Sequence, residues 1–189
     1  MTMTARLTAL LAASLTLLPL LAAPALAQGR KPAAKPDAKS GVPGGAKLVA
    51  SFGDWGAYTA QNGRSKMCYA LSEPKTRSPA TIKDTKAYLF VSFRPAERIR
   101  NELAVVLNFK TKDKGPGSLV IGDTTYELIT MGENAWVKAA SDEAAAIGSM
   151  SKGGTLTLQA TSARGNKTSD RYSLTGFTQA LEQAKRDCP

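Results

Sequence analysis

The chain has 189 residues, 25 Lys and Arg against 15 Asp and Glu, two cysteines and no histidine. Without histidine it cannot build a Ser-His-Asp triad, a Cys-His pair or a His-ligated metal centre. The formal net charge of +10 suits an anionic partner surface, such as lipid headgroups, lipopolysaccharide, nucleic acid or acidic polysaccharide, and equally suits plain solubility.

The first element is a targeting segment. Arg6 precedes a mostly apolar run from Leu7 to Leu21, followed by Pro24 and Ala25-Leu26-Ala27. Small residues at Ala25 and Ala27 fit a signal-peptidase site, so 1–27 reads as a secretory signal peptide with the mature chain starting at Gln28. The apolar run is too short for a membrane span, and no later stretch of the mature chain is long enough for one. No Arg-Arg pair precedes the run, which favours the general secretory route. Residues 28–47, QGRKPAAKPDAKSGVPGGAK, carry five basic residues against Asp37 and no large apolar residue except Val42. Such a segment cannot bury enough surface to offset its chain entropy, so it reads as a disordered basic tether. The folded domain is expected over 48–189.

From Leu48 onward the apolar pattern has mostly period two. DWGAYTA and CYALSE read as early strands, and KAYLFVSF, apolar on both faces, as a central one. NELAVVLNF puts Leu103, Val105, Leu107 and Phe109 on one face. TTYELIT, AWVK and DRYSLT follow. GTLTLQATS sets Leu156, Leu158 and Ala160 against a solvated face of Thr155, Thr157, Gln159 and Thr161. QNGRS and IGDTT carry turn glycines, while KTKDKGPGS and SARGNKTSD read as longer hairpin tips. Short strands at this spacing argue for an antiparallel sandwich or barrel, and periodicity does not separate the two.

Two helices interrupt the pattern. SDEAAAIGSMSKGG has Ser141 as its expected N-cap, Asp142 and Glu143 in the first turn, and paired glycines as a stop. It reads as a short bridge between strands. In the closing segment Phe177, Leu181, Ala184 and Cys188 fall at i, i+4, i+7 and i+11, which places them on one helical face within roughly 60°. Thr175 or Ser173 is the expected cap. The stripe aims Cys188 at the body of the domain. Cys68 and Cys188 have one intramolecular pairing open to them, with free or intermolecular thiols as the alternative. Closing so long a loop stabilises by roughly 4–5 kcal/mol in the chain-entropy picture. Neither cysteine sits in a C-x-x-C, so redox catalysis is not expected.

Little catalytic chemistry remains. Asp142 with Glu143 and Glu97 with Glu102 are the carboxylate pairs, but adjacent acids on a helix do not converge across a pocket. SMSK at Ser149–Lys152 is a chance-level spelling of a Ser-Lys dyad. No phosphate-cradling loop is present, and no catalytic residue, cofactor or metal is expected. The candidate interaction residues are Arg94, Arg98 and Arg100 in FRPAERIR, Lys110, Lys112 and Lys114 in FKTKDKG, and the aromatic anchors Trp55 and Trp136, although FGDWG reads first as a turn with a buried indole and only second as a ligand-stacking Trp55. The two basic clusters are expected at opposite ends of the strand 101–110. Solvated edge charge explains them equally well. No RNA-binding signature accompanies them, so no specific nucleic acid is expected.

FGDW, a cysteine in a following strand, DEAAAIGSMSKG, then GNKTSD and YSLTGFTQAL before a final cysteine together resemble the invasion-associated locus B family of Gram-negative bacteria. The resemblance covers roughly 50–189. It implies an antiparallel immunoglobulin-like β-sandwich, periplasmic, surface-associated or secreted, with no catalytic residues assigned. Members often carry a further cysteine near the Trp strand, where this chain has Cys68 only. The expected function is that of a non-enzymatic exported envelope protein acting through surface contacts with envelope polymers, periplasmic proteins or a host surface. The alternatives are a carboxylate-dependent periplasmic glycan hydrolase and a charge-driven polyanion-binding module.

Overall fold

The computed structural model describes residues 45–63 and 65–189. The expected signal peptide over 1–27, and the segment read as a tether as far as residue 44, lie outside the described residues. The strands are β1 (Lys47–Phe52), β2 (Trp55–Asn62), β3 (Ser65–Ser72), β4 (Thr76–Ser78), β5 (Tyr88–Arg94), β6 (Ile99–Val106), β7 (Gly115–Ile121), β8 (Thr124–Met131), β9 (Asn134–Val137), β10 (Thr155–Thr161) and β11 (Lys167–Ser173). Helix α1 (Ala140–Lys152) bridges β9 and β10, and α2 (Phe177–Asp187) closes the chain.

All eleven strands join one antiparallel sheet in the order β1-β2-β3-β5-β6-β9-β8-β7-β10-β11-β4. The mainly β expectation therefore holds, but the hydrogen bonds do not draw the two separate sheets of an immunoglobulin-like sandwich. The reason is β9. It pairs Ala104, Val105 and Val106 of β6 on one side and Leu128 to Met131 of β8 on the other, so the ladder continues where two sheets would part.

The sheet stays open, yet its ends come back together. β4 lies in sequence between β3 and β5, which are neighbours, but it pairs with β11 at the far edge through Arg77↔Asp170 and its flanking residues. A 15-residue excursion from Ser72 to Tyr88 can reach that edge only if the sheet curls. Arg77 fastens this edge to β11 and to the segments before β5 and after β6. Its Nε and Nη2 donate to the two carboxylate oxygens of Asp170 at 2.9 and 3.0 Å, while Nη1 donates to the Thr85 carbonyl at 2.7 Å and Nη2 to that of Leu107 at 3.0 Å. Both side chains are buried. Trp55 of β2 adds a second link by donating from Nε1 to the Ser173 carbonyl at the end of β11, 2.9 Å away.

The curl surrounds one core. Leu89 and Val91 of β5, Leu103 and Val105 of β6, Leu119 of β7, and Leu156 and Leu158 of β10 all point into it, at the alternating positions a strand offers. Leu103, Val105 and Leu107 are buried as the sequence pattern requires, and Phe109 is half-buried. Helix α2 fills the interior with Phe177, Ala180, Leu181 and Ala184, and Phe177 meets Trp55 edge-on at 4.7 Å between ring centroids. One turn further, Cys188 is bonded to Cys68 of β3, with 5.8 Å between Cα atoms. Both cysteines are buried, and the alternative of free thiols falls away.

The helix caps differ from expectation. α1 starts one residue before Ser141, with Ala139 as its N-cap and no side-chain cap, although Asp142 and Glu143 do occupy the first turn. α2 is capped by Gly176 at φ 92°, not by Thr175 or Ser173. A Cβ at Gly176 would lie 1.7 Å from the Phe52 carbonyl oxygen, so close approach of the β1–β2 turn dictates glycine there and overrides side-chain capping. β7 is the main strand absent from the period-two reading, because Gly115-Pro116-Gly117 has turn composition. Gly117 is a strand residue for a packing reason: its Cβ would meet the Gln159 carbonyl at 3.0 Å and Leu128 Cβ at 3.2 Å.

Two substitutions measure the closure. Cys188→Ser lowers the unfolding free energy by about 2–5 kcal/mol. Arg77→Met, which strands the Asp170 carboxyl in the interior, lowers it by about 3–5 kcal/mol. Urea unfolding followed by tryptophan fluorescence reads both, and a change below about 1 kcal/mol in either would remove that link from the account.

Candidate interaction surface

The sequence candidates separate sharply in space. Trp55 is fully buried in the core and is excluded as an exposed anchor. Arg94, at the end of β5, is engaged by carboxylates: Nε donates to Glu97 at 2.9 Å and Nη1 to Glu102 at 2.7 Å, with the buried Ser92 hydroxyl also accepting at 2.8 Å. The Glu102 carboxylate holds the guanidinium charged above all, with Glu97 adding to it. Arg98 and Arg100 are exposed where β5 connects to β6. Lys110, Lys112 and Lys114 are exposed in the loop that follows β6. The two basic clusters thus flank β6 at opposite ends, as expected, about 25 Å apart along an eight-residue strand.

The carboxylates needed by the hydrolase reading are engaged locally. Glu97 and Glu102 share Arg94. Glu143 accepts the Leu103 backbone N–H at 2.7 Å, which ties the first turn of α1 to β6. Burial pushes the Glu143 carboxyl above the usual range, the Leu103 N–H pulls it back, and the Glu102 charge adds to the rise. Among the described residues no cluster of three or more Cys, Asp or Glu side chains is placed to hold a metal ion, and no helix is long and apolar enough to cross a membrane.

Trp136 has a different setting. Residues directly opposed in a ladder share a face. Leu71 opposes Phe90, Phe90 opposes Ala104, Ala104 opposes Trp136, Trp136 opposes Ile129, and Ile129 opposes Pro116. The neighbours of these residues along each strand, Ala70, Leu89, Leu103, Ala135 and Leu128, all point into the core. The row from Leu71 to Pro116 therefore runs across five strand junctions on the outward face. Phe90, Trp136 and Ile129 are half-buried and Pro116 is exposed. Beside the row, Tyr58 stacks on Tyr69 with centroids 5.5 Å apart, and Tyr69 lies 6.1 Å from Phe90. Burial pushes the Tyr69 hydroxyl up to about 12, and the neighbouring Tyr58 adds to it, so this face carries no charge from its tyrosines at neutral pH.

The double-sided apolar text of KAYLFVSF was the legible trace of this row. β5 is central, as read, but its second face does not meet a second layer. It supplies Phe90 and Tyr88 to an outward apolar cluster with Tyr69, Leu71 and Val106. The membership of Ile129 and Pro116 depends on strand order, which no local pattern encodes.

An open, curled antiparallel sheet plugged by a disulfide-bonded terminal helix defines a class of small β domain with an apolar row across its outward face. The model of the invasion associated locus B protein family matches residues 55–185, and the chain belongs to that family. No curated protein and no solved structure gives a significant match. The disulfide fits a protein that matures in an oxidising compartment.

The raised Glu143 carboxyl has a checkable consequence. A carboxyl raised in the folded state binds more protons folded than unfolded, so stability falls as pH rises through the window just above the ordinary glutamate range. Glu143→Gln keeps an acceptor for Leu103 N–H and removes that dependence. The variant is expected to match or exceed the parent at pH 7 and to lose its relative advantage as pH drops through the ordinary glutamate range. Thermal melts at a series of pH values give the comparison, and a variant less stable than the parent at pH 7 and level with it in acid would reverse the sign assigned to this group.

Proposed function

We propose that the protein is a non-enzymatic, exported component of the Gram-negative envelope, resident in the periplasm or at the outer surface, that works by docking a partner protein on the outward apolar row. Its curled sheet is read as a variant of the family's sandwich, with the β1-β2-β3-β5-β6 run as one layer and the β8-β7-β10-β11-β4 run as the other. The observation that carries the function is the row itself, with Trp136 at its centre, flanked by Phe90 and Ile129. Partly accessible aromatic and aliphatic side chains in line across a rigid sheet are the features that dominate protein interfaces, and tryptophan is foremost among hot-spot residues. Family membership is consistent with an envelope role but names no partner.

Crosslinked capture from intact cells tests this reading. Trp136→Ala is expected to weaken partner capture by about thirtyfold, the effect of losing roughly 2 kcal/mol at a hot spot, while leaving the melting temperature within a few degrees of the parent. A version lacking 28–47 should still capture the same partner. If removal of 28–47 abolished capture and Trp136→Ala did not, the contact would lie in the tether and the row would have no such role.

A further inference from the structure

A second site lies on the opposite, α2 side of the sheet. Where β5 pairs with β6 the register shifts between Ser92 and Phe93: Ser92 opposes Glu102, but Phe93 opposes Arg100. Asn101 is the extra residue of this bulge and takes φ 65°, a left-handed conformation that asparagine tolerates well. The bulge changes which way Arg100 faces. In regular pairing Arg100 would share the outward face of Glu102 and Ala104. After the bulge it shares the face of Phe93, which belongs to the core. That is the side on which α2 packs.

The last turn of α2 brings Lys185 and Arg186 to the same place. Together with Phe93, Asn101, Glu182, Cys188 and Pro189 they and Arg100 enclose an open cleft of about 410 Å³. Three cations line it against one acidic side chain, Glu182. Arg100, Lys185 and Arg186 form no ion pair with a described residue; Arg186 donates only to the neutral Gln183 amide at 2.7 Å. Phe93, Cys188 and Pro189 supply apolar wall. A cleft of this volume suits a small ligand, and its three cations match the three terminal acceptor oxygens of a phosphate monoester. A phosphodiester or a carboxylate offers only two such oxygens.

We propose that this cleft binds a phosphate monoester carried on a sugar or lipid body, with Arg100 and Lys185 as its principal contacts. The site is independent of the outward row and of the docking assigned to it. Titration calorimetry of the disulfide-bonded protein at low salt, with glucosamine 1-phosphate as one ligand and vesicles containing phosphatidic acid as the other, tests it. Binding of either is expected to weaken at least tenfold in the Arg100→Ala/Lys185→Ala variant and to stay within twofold in Lys112→Ala/Lys114→Ala. Glu182→Gln, which removes the one acidic side chain lining the cleft at an exposed position, is expected to tighten binding by about threefold. Binding of the vesicles alone assigns a lipid-borne monoester, and binding of the sugar phosphate assigns a soluble one. Absence of binding to both, equal binding to vesicles of the diester phosphatidylglycerol, equal loss in the two lysine-containing variants, or no gain from Glu182→Gln would each overturn the proposal.

Discussion

The fold depends on carrying β4 away from its sequence neighbours to the far edge of an open sheet, and the Arg77–Asp170 pair is what fastens it there to β11. The pair is costly to bury: two charges lose their water, and in the interior only close geometry recovers the loss. Here the guanidinium meets the carboxylate in a two-pronged arrangement and spends its remaining donors on two backbone carbonyls, Thr85 and Leu107. Burial pushes the Asp170 carboxyl upward while the Arg77 hydrogen bonds and charge oppose the rise. The value of such a pair lies in position more than in strength. β4 has only three residues, too few to choose its register by ladder bonds alone. A buried arginine with one carboxylate to satisfy admits a single register.

The second closure is covalent and works through the same geometry. Cys68 sits in β3, with β2 on one side and β5 on the other, and faces inward. Its bond to Cys188 pins the far end of α2, while the near end is fixed by Gly176 pressed against Phe52 and by the Trp55–Phe177 contact. The helix is thus held at both ends over β2 and β3. Because side chains alternate along a strand, the residues flanking Cys68 in β3, Met67 and Tyr69, point outward and belong to the aromatic cluster. Stiffening β3 from within steadies the surface on its other side.

Much of this was legible in the sequence where a local period decided the outcome. Ten stretches read as strands or helices correspond to observed elements, and the stripe leading to Cys188 is visible because helical spacing is a local property. The strands outside that reading are β1, whose register slips between Leu48 and Ala50, and two of the opposite character, β7 and β4. β7 starts with Gly115-Pro116-Gly117, glycine being required by its neighbours and not by a turn, and β4 is too short to show a period. The ion pair joins residues 93 positions apart, and nothing near Arg77 or Asp170 marks either as buried. The tryptophans divide along the same line. The turn text around Trp55 already suggests a buried indole, whereas only the order of strands sets Trp136 in the outward row.

The arginines of FRPAERIR show how one irregularity divides apparently equal residues. Arg94 faces outward with Ser92 and Glu102 and is neutralised by two glutamates. Arg100 lies across the bulge at Asn101, on the other side of the sheet, with cations from α2 for neighbours. A charge count over the segment assigns them one role. The sheet assigns them two, because a single extra residue inverts the alternation of every side chain beyond it. The same inversion explains why a basic cleft forms beside the disulfide at all. Without the bulge, the last turn of α2 would meet Asn101 in place of Arg100, and the lysine and arginine at 185 and 186 would complement only their own helix terminus.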